Sequence, residues 1–263
     1  MIGERIRTFR TRLTAAAPLT GTFLKTPSPV ICEVLAQAAV DVVCVDAEHA
    51  PFGRQELDAC LAILRAADQP SLVRIAACTP ADIRGALDCG ATGILVPHVT
   101  SADQARAIVA AARFGEGGRG YSGSTRAADF GAKPMRDHIH DSHAQTVLIA
   151  QIEDPAALDA VGAIAAVEGI DCVFIGRADL AVAMGKELSA AEVDAAAARI
   201  CSAGSAAGTA IGIFVANVSD ATEISHWRAA GASLFLIGSD QGFVLAQAKR
   251  LAGIFHDRGR EVR

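Results

Sequence analysis

The sequence predicts a closed barrel of eight β/α units. The chain has 263 residues and 51% hydrophobic composition, which is enough for one large buried core. Short apolar segments alternate with longer helical patterns, and the alternation reaches eight repeats. Repeated βαβ units favour a parallel sheet, and eight of them at this length favour closure into a (β/α)₈ TIM barrel. We therefore predict one domain over residues 1–263.

The predicted strands are short apolar runs, and the predicted helices follow them. The strands are residues 19–24, 42–46, 71–75, 93–97, 147–152, 172–175, 210–215 and 234–237. The helices are residues 29–39, 54–67, 80–88, 101–113, 155–167, 190–207, 220–230 and 242–255, with one further N-terminal helix over residues 3–17. Thr79, Ser101 and Asp154 stand where N-cap residues are expected, two of them ahead of a proline.

Charge and cysteine usage exclude several classes of function. The net charge is -5 with no basic run, so we expect neither nucleic acid nor a membrane surface as a partner. The seven cysteines are scattered and form no CxxC pair, which is typical of reduced thiols in the cytoplasm. No signal-peptide pattern or long apolar span is present, so a cytoplasmic protein with a small-molecule ligand is predicted.

The longest non-periodic segment is residues 114–145, between the fourth helix and the fifth strand. Its centre, residues 117–126, is rich in glycine, arginine and serine, and is too polar for the core. Long loops of this kind often carry function. We interpret the segment as a partial lid across the site.

Function in such a barrel is expected where the strands end. The polar residues at those ends are Asp46, Glu48, His49, Arg74, His98, Gln151, Glu153, Asp179 and Asn217. Carboxylates, an amide, an arginine and a histidine in one cleft can hold a hard divalent cation, an anionic substrate and a proton acceptor.

Glu153 and Asp179 are the central acids of this set, because they end two successive buried strands joined by one βαβ crossover. Taken singly, each could instead be a helix cap or a partner of a nearby arginine. Gln151 lies two residues before Glu153 on the same face of an apolar strand. Burying an amide and an acid without a partner is costly, so a metal site is favoured.

His49 and Arg74 add acid–base and charge-stabilising groups. His49 follows two acids, Asp46 and Glu48, and a neighbouring carboxylate fixes the imidazole tautomer and suits the histidine to act as a base. Arg74 would be an expensive charge inside a barrel unless it faces an oxyanion at the rim. His98 is predicted to be a supporting or loop-packing residue.

With these residues named, the sequence resembles the HpcH/HpaI aldolase family of metal-dependent enzymes. The resemblance covers nearly the whole barrel. It is carried by residues 45–51, 72–74, 86–91, 94–97, 118–120, 151–153 and 167–180, taken in this order and spacing.

The resemblance implies a retro-aldol or aldol reaction of 4-hydroxy-2-oxo acids, giving pyruvate or hydroxypyruvate and an aldehyde through a metal-stabilised enolate. Glu153 and Asp179 would be the ligands of Mg²⁺, Mn²⁺ or Co²⁺. The acid–base dyad would be His49 with Asp88, and Arg74 would stabilise the enolate oxygen. The substrate would also contact Gln151 and the segment Gly176, Arg177 and Ala178, whose backbone amides would receive a carboxylate.

The resemblance further implies a homohexamer, a trimer of dimers with exchanged C-terminal helices. The last helix agrees with subunit packing, because its apolar residues cover more than one face. The chain departs from many relatives at Ala47, His98 and Arg177, of which Arg177 bears most directly on carboxylate binding.

Three other interpretations remain open from the sequence. Lys25 and Lys133 leave an imine mechanism available, although nearby acids disfavour a neutral amine. An acyl-CoA lyase of the citrate or malyl type would use similar chemistry, but no basic cluster for its phosphates is visible. A non-catalytic binding barrel would need neither a base nor an acid pair.

Overall fold

A computed structural model of the chain describes residues 3–217 and 219–258. Eight parallel strands form a closed barrel in sequential order, which confirms the predicted (β/α)₈ fold. The strands are β1 (Leu19–Leu24), β2 (Val42–Asp46), β3 (Ser71–Arg74), β4 (Gly93–Val96), β5 (Val147–Ile152), β6 (Cys172–Ile175), β7 (Ala210–Val215) and β8 (Leu234–Ser239). All eight predicted strands are present, with three carboxyl ends shifted by one or two residues.

The helices surround the barrel. They are α1 (Glu4–Thr14), α2 (Pro29–Ala36), α3 (Arg54–Ala66), α4 (Pro80–Asp88), α5 (Ala102–Ala112), α6 (Met135–Gln145), α7 (Val161–Ala165), α8 (Arg177–Ala183), α9 (Ala191–Ala206), α10 (Ala221–Ala229) and α11 (Asp240–Arg258). Two short 3₁₀ helices, Arg126–Gly131 and Pro155–Ala157, lie between them. No helix in the described ranges is long and apolar enough to cross a membrane. The seven cysteines are free thiols.

Helix boundaries follow the sequence signals closely at some positions and not at others. The side chains of Thr79 and Ser101 accept hydrogen bonds from backbone N–H groups and cap α4 and α5 as predicted. Asp154 does not cap the segment that follows it, because its carboxylate contacts His98 instead. The predicted helix over residues 155–167 is therefore interrupted: a 3₁₀ turn comes first, and α7 begins at Val161.

The barrel interior is filled with side chains, and α1 closes its amino-terminal end. Phe9 and Leu13 of α1 are fully buried and belong to the same apolar cluster as inward-facing residues of the strands, such as Leu72 and Phe174. A second, larger cluster lies between the strands and the outer helices. A packed interior leaves the carboxyl ends of the strands as the place for a ligand.

The insertion after α5 does not form a lid over the site of its own chain, so that prediction is wrong. The insertion connects a helix to the next strand, and in a parallel barrel every such connection lies at the amino-terminal end. Its helix α6 packs against α1. Arg10 of α1 donates to the carbonyl oxygen of His143 at 2.9 Å, which fixes the segment at that end.

Close packing between β1 and β2 predicts a large effect of one methyl group. A Cβ atom on Gly21 would lie 2.5 Å from the backbone oxygen of Val42. We expect Gly21→Ala to lower the free energy of unfolding by about 1–3 kcal/mol or more, because the two strands must separate. The matched control is Gly162→Ala in α7, where nothing lies within 4 Å of the added methyl.

Urea unfolding of the two variants measures the difference. The control should be unchanged or stabilised by about 0.5–1 kcal/mol, since alanine is the better helix former. Equal stability of the two variants would show that β1 and β2 are not packed as described.

Candidate active site

A cavity of about 480 Å³ opens at the carboxyl end of the barrel. The predicted site residues that line it are His49, Arg74, Gln151, Gly176, Arg177, Ala178 and Asp179. Its remaining walls include Phe23, Phe174 and Phe214, which give it an apolar side, and Lys25 and Ser239, which the sequence did not single out as site residues. Volumes of this size suit small ligands.

Arg74 is held by a buried carboxylate on the neighbouring strand. Residues Asp46 and Arg74 are directly paired in the β2–β3 register. The guanidinium Nε and Nη2 donate to the two Asp46 oxygens at 3.0 and 2.7 Å, and both residues are buried. Its Nε also lies 3.3 Å from Glu48 Oε2, and Phe23 packs against the guanidinium plane at 4.7 Å. Arg74 is thus fixed in position beside the cavity.

The Asp46 carboxylate compensates the buried positive charge of Arg74. Besides Arg74, its carboxylate accepts from the His49 backbone N–H at 3.1 Å and lies 3.2 Å from Lys25 Nζ. Burial by itself raises the pKa of Asp46, but the hydrogen bonds and charge of Arg74 outweigh burial and hold that pKa below its usual range. Asp46 therefore stays ionised at neutral pH.

The lowered pKa of Asp46 predicts acid-sensitive stability. A depressed folded-state pKa contributes stability above the unfolded value of about 3.9, and that stability is lost as pH falls through the folded pKa. We expect Asp46→Asn to cost about 3–5 kcal/mol at pH 7, because Arg74 keeps a buried charge without its partner. The difference in unfolding free energy between the variant and the wild type should become smaller below about pH 4.

Urea unfolding of wild type and variant across pH provides the measurement. Asp159→Asn is the control, since the Asp159 carboxylate is 93% exposed in its pair with Arg199 and should contribute at most about 1 kcal/mol. If the loss of unfolding free energy caused by Asp46→Asn does not change with pH, the lowered pKa of Asp46 is contradicted.

Glu153 lies just past the end of β5 and is 2% exposed. The His98 backbone N–H donates to Glu153 Oε1 at 2.9 Å, and Gln151 Nε2 donates to Glu153 Oε2. Burial raises the pKa of Glu153 against these hydrogen bonds, and the nearby charge of Asp179 adds to the rise. The two predicted acids therefore share one electrostatic environment, as the βαβ argument required.

Glu153 also belongs to a second group of potential metal ligands. One oxygen each from Glu48 and Glu153 and one ring nitrogen of His98 lie within 4.8 Å of one another. Burial lowers the pKa of His98, but the hydrogen bond to Asp154 and the charges of Glu153, Asp154 and Glu48 raise it overall. The His98 ring contacts three acids, which agrees with the predicted supporting role and not with loop packing alone.

Two buried oxygens in this region test whether a cation fits. Gln151 Oε1 is buried and has no hydrogen-bond partner among the described residues, and Glu48 Oε2 is buried with only the ion-pair contacts to Arg74 and His49. Buried oxygens are rarely left unpaired. Carboxylate, amide and imidazole groups are the donor types that bind divalent cations, so the residues present fit such an ion.

Gly176 and Arg177 position the β6 loop. A Cβ atom on Gly176 would lie 2.6 Å from Glu153 Cβ, so the close approach of the two loops requires glycine. Arg177 Nη2 donates to Asp194 at 2.7 Å, Nη1 donates to Glu223, and the guanidinium lies 5.0 Å from the Trp227 ring. Its charge is therefore shared with two acids at the cavity edge.

Within one chain, His49 and Asp88 lie at opposite ends of the barrel, so residues of the same chain do not form the predicted pair. His49 follows β2 at the carboxyl end of the barrel, where its side chain is 54% exposed and lies 3.6 Å from Glu48. Asp88 ends α4, and a helix that returns to the next strand ends at the opposite face. There Asp88 is paired with the buried Arg119.

The remaining rim residue, Asn217, accepts from the Ser219 backbone N–H at 3.0 Å and stabilises the loop after β7. Sequence reasoning missed Lys25 as a cavity residue and Asp154 as the partner of His98. The sequence suggests Lys25 only as an amine for an imine mechanism, although its position two residues beyond Phe23 on the same strand face predicts a place at the rim.

A parallel barrel with a fixed arginine, paired acids and imidazoles at its carboxyl end is typical of enzymes that stabilise a negatively charged intermediate. The chain belongs to the HpcH/HpaI aldolase/citrate lyase family, whose model matches residues 19–246. The family confirms the predicted enzyme class, an aldolase or carbon–carbon lyase, and enzymes of this family typically depend on a divalent metal.

Individual relatives agree with this assignment. The chain is 35% identical over 250 residues to a hydroxypyruvate/pyruvate aldolase of Paraburkholderia phytofirmans, covering 92% of this chain and 94% of the relative. It is 35% identical to a 5-keto-4-deoxy-D-glucarate aldolase of Klebsiella pneumoniae, and the match covers 94% of this chain and 96% of the relative. A crystal structure of a family member from Burkholderia cenocepacia superposes with a TM-score of 0.89 at 33% identity. The superposition covers 95% of this chain and 99% of that chain.

Proposed function

We propose that the chain is a divalent-metal-dependent aldolase that makes or cleaves 4-hydroxy-2-oxo acids, with pyruvate or hydroxypyruvate and an aldehyde as the smaller partners. The observation that carries the proposal is the fixed Arg74 beside the same cavity that Asp179 lines, with Glu153 buried next to it. Relatives named as hydroxypyruvate/pyruvate and 5-keto-4-deoxy-D-glucarate aldolases support the substrate class.

Glu153 and Asp179 would hold the cation, for which Mg²⁺, Mn²⁺ and Co²⁺ are the candidates. A divalent ion in this position supplies Lewis-acid stabilisation of negative charge on the 2-oxo acid. Gln151 keeps Glu153 oriented through its amide N–H and has a buried amide oxygen available for the substrate or the ion.

The substrate carboxylate is assigned to the loop after β6. The backbone amides of Arg177 and Ala178 open α8 beside Glu153, where N–H groups and a nearby guanidinium favour an anion. The Gly176 N–H is not available for this role, because it donates to the Ile152 carbonyl oxygen at 3.0 Å. Because Asp194 and Glu223 already balance Arg177, we assign that residue a supporting role in carboxylate binding.

Arg74 is assigned to the enolate oxygen. When the bond between C3 and C4 breaks, its electron pair moves to the pyruvate fragment, and the charge must be stabilised as it develops. The Asp46 carboxylate occupies Nε and Nη2, while Nη1 has no hydrogen-bond partner among the described residues. A pre-positioned donor of this kind needs little reorganisation during the reaction.

His49 is assigned as the base that removes the proton from the C4 hydroxyl during cleavage and returns it to the alkoxide during addition. Its ring is accessible at the cavity wall beside Glu48. Asp88 cannot orient His49 within the same chain, so we assign the dyad to an interface between subunits. This assignment requires a homo-oligomer, for which we propose the hexamer with exchanged C-terminal helices.

The test is aldol addition with the metal-stripped protein. Pyruvate and hydroxypyruvate are offered with several aldehydes before and after addition of Mg²⁺, Mn²⁺ or Co²⁺, and citryl-CoA cleavage is measured in parallel. We expect the aldol reaction to require the metal ion, and we expect borohydride treatment to leave its rate unchanged. Activity that chelation leaves unchanged, borohydride trapping of an imine, or cleavage of the CoA ester alone would overturn the proposal.

A further inference from the structure

We propose that His98 is a nitrogen ligand of a divalent cation held between Glu48 and Glu153. The inference rests on the metal requirement of the proposed function and extends its ligand set. His98 Nε2 lies 3.9 Å from Glu48 Oε1, and His98 Nδ1 lies 3.5 Å from Glu153 Oε1. One ligand atom from each of the three residues lies within 4.8 Å of the others. Bonds of about 2.1 Å place two ligands of one ion at most about 4.2 Å apart, so side-chain shifts below about 1 Å close the site.

Asp154 orients the imidazole for this role. Its Oδ2 lies 3.0 Å from His98 Nδ1, on the side of the ring away from Nε2. A carboxylate on one ring nitrogen keeps the proton there and leaves the lone pair of the other nitrogen free for a metal. The contact also explains why Asp154 does not serve as a helix cap.

The backbone of His98 is held in a conformation that costs energy. Its φ is 54°, in the left-handed region that residues other than glycine seldom occupy. The conformation is fixed on both sides, because the His98 N–H donates to Glu153 Oε1 at 2.9 Å and its carbonyl oxygen accepts from Gln104 at 3.2 Å. Strain maintained by surrounding contacts is concentrated at functional sites.

An unpaired oxygen provides an independent argument for a ligand. Gln151 is 2% exposed, and its Oε1 is buried without a hydrogen-bond partner among the described residues. Glu48 Oε2 makes no hydrogen bond either, although Arg74 Nε lies 3.3 Å from it. A cation beside Glu153 offers a positive partner to the Gln151 oxygen.

The donor set predicts the metal preference. Imidazole suits later transition ions, whereas sites made of oxygen ligands alone suit Mg²⁺. We expect the wild type to prefer Co²⁺ over Mg²⁺, and His98→Gln to reduce Co²⁺ affinity at least about tenfold with a much smaller loss for Mg²⁺. Asp154→Asn should reduce Co²⁺ affinity by about 10–100-fold while leaving His98 in place.

Pulsed electron paramagnetic resonance of the Mn²⁺-loaded full chain gives the decisive readout, together with calorimetric titration of Co²⁺ and Mg²⁺. The wild type should show coupling to a directly bound ¹⁴N nucleus. His98→Gln should lose that coupling. His49→Gln is the matched control, since His49 is the other imidazole beside Glu48 and should leave the nitrogen coupling in place.

Bound Mn²⁺ without nitrogen coupling in the wild type, or coupling that survives His98→Gln, would overturn this inference alone. Failure of the wild type to bind any divalent ion would overturn the inference together with the metal requirement of the proposed function. Metal-dependent aldol addition by a protein that lacks the coupling would leave the proposed function intact.

Discussion

Glu153→Gln and Asp179→Asn are each expected to lower kcat/KM for retro-aldol cleavage by about 10³-fold or more, because each removes a carboxylate proposed to hold the cation. Metal affinity should fall in parallel. The substitutions are nearly isosteric, and Glu153 already has a raised pKa. Unfolding free energies should therefore change far less than activity. Steady-state kinetics with titrated Mn²⁺ measures the effect.

Asp171→Asn is the matched control. Asp171 is 5% exposed and is an acid of the same strand pair, but it precedes β6 at the amino-terminal end, where Arg10 contacts it at 2.9 Å. We expect the control to lower stability and to keep metal binding and activity. Full metal affinity in Glu153→Gln and Asp179→Asn would refute the ligand assignment.

Mixed oligomers of His49→Ala and Asp88→Asn subunits are expected to regain activity that neither variant has alone. If each site takes His49 from one subunit and Asp88 from another, random mixing at equal amounts restores about a quarter of the sites. The physical basis is the separation of the two residues by the length of the barrel within one chain. Co-expression and purification of the doubly tagged oligomer provides the sample.

His49→Ala mixed with Glu153→Gln is the control for this experiment. His49 and Glu153 both lie at the carboxyl end of one barrel, so each site takes both residues from the same subunit. No mixture of these two variants therefore contains an intact site. Recovery in the control, or no recovery with Asp88→Asn, would exclude a dyad shared between subunits.

Much of the fold follows from the sequence because each strand is an apolar run bounded by turn residues. Continuous apolar runs place the eight strands to within two residues, although a strand that is apolar on both faces does not show which of its side chains point into the barrel. Short helices carry less signal. The seven-residue α8 was missed, because two turns cannot display a period clearly.

The part of the site that follows from the order of strands along the chain is predictable from the sequence. Strand ends in a parallel barrel meet at one face, so the sequence alone predicts that Arg74, Gln151 and Asp179 line one site. The same rule, applied to the insertion after α5, would have placed it at the amino-terminal end. Composition alone favours a lid for this segment, but composition does not indicate the end of the barrel at which a segment lies.

Pairings between specific side chains were not predictable. The bond between Arg74 and Asp46 depends on the β2–β3 register, which the sequence pattern leaves open. The contact of Asp154 with His98 depends on a left-handed backbone at His98. Local capping preferences pointed elsewhere, and tertiary contacts outweighed them.

Deuterium exchange into the C3 position of pyruvate is the measurement that tests the central claim most directly. It reports enolate formation without an aldehyde, and NMR follows it in D₂O. We expect the metal-loaded protein to exchange the C3 protons, chelation to stop exchange, and readdition of Mn²⁺ to restore it. Exchange that continues in the stripped protein, or no exchange with any of Mg²⁺, Mn²⁺ and Co²⁺, would contradict a metal-dependent enolate at Glu153 and Asp179.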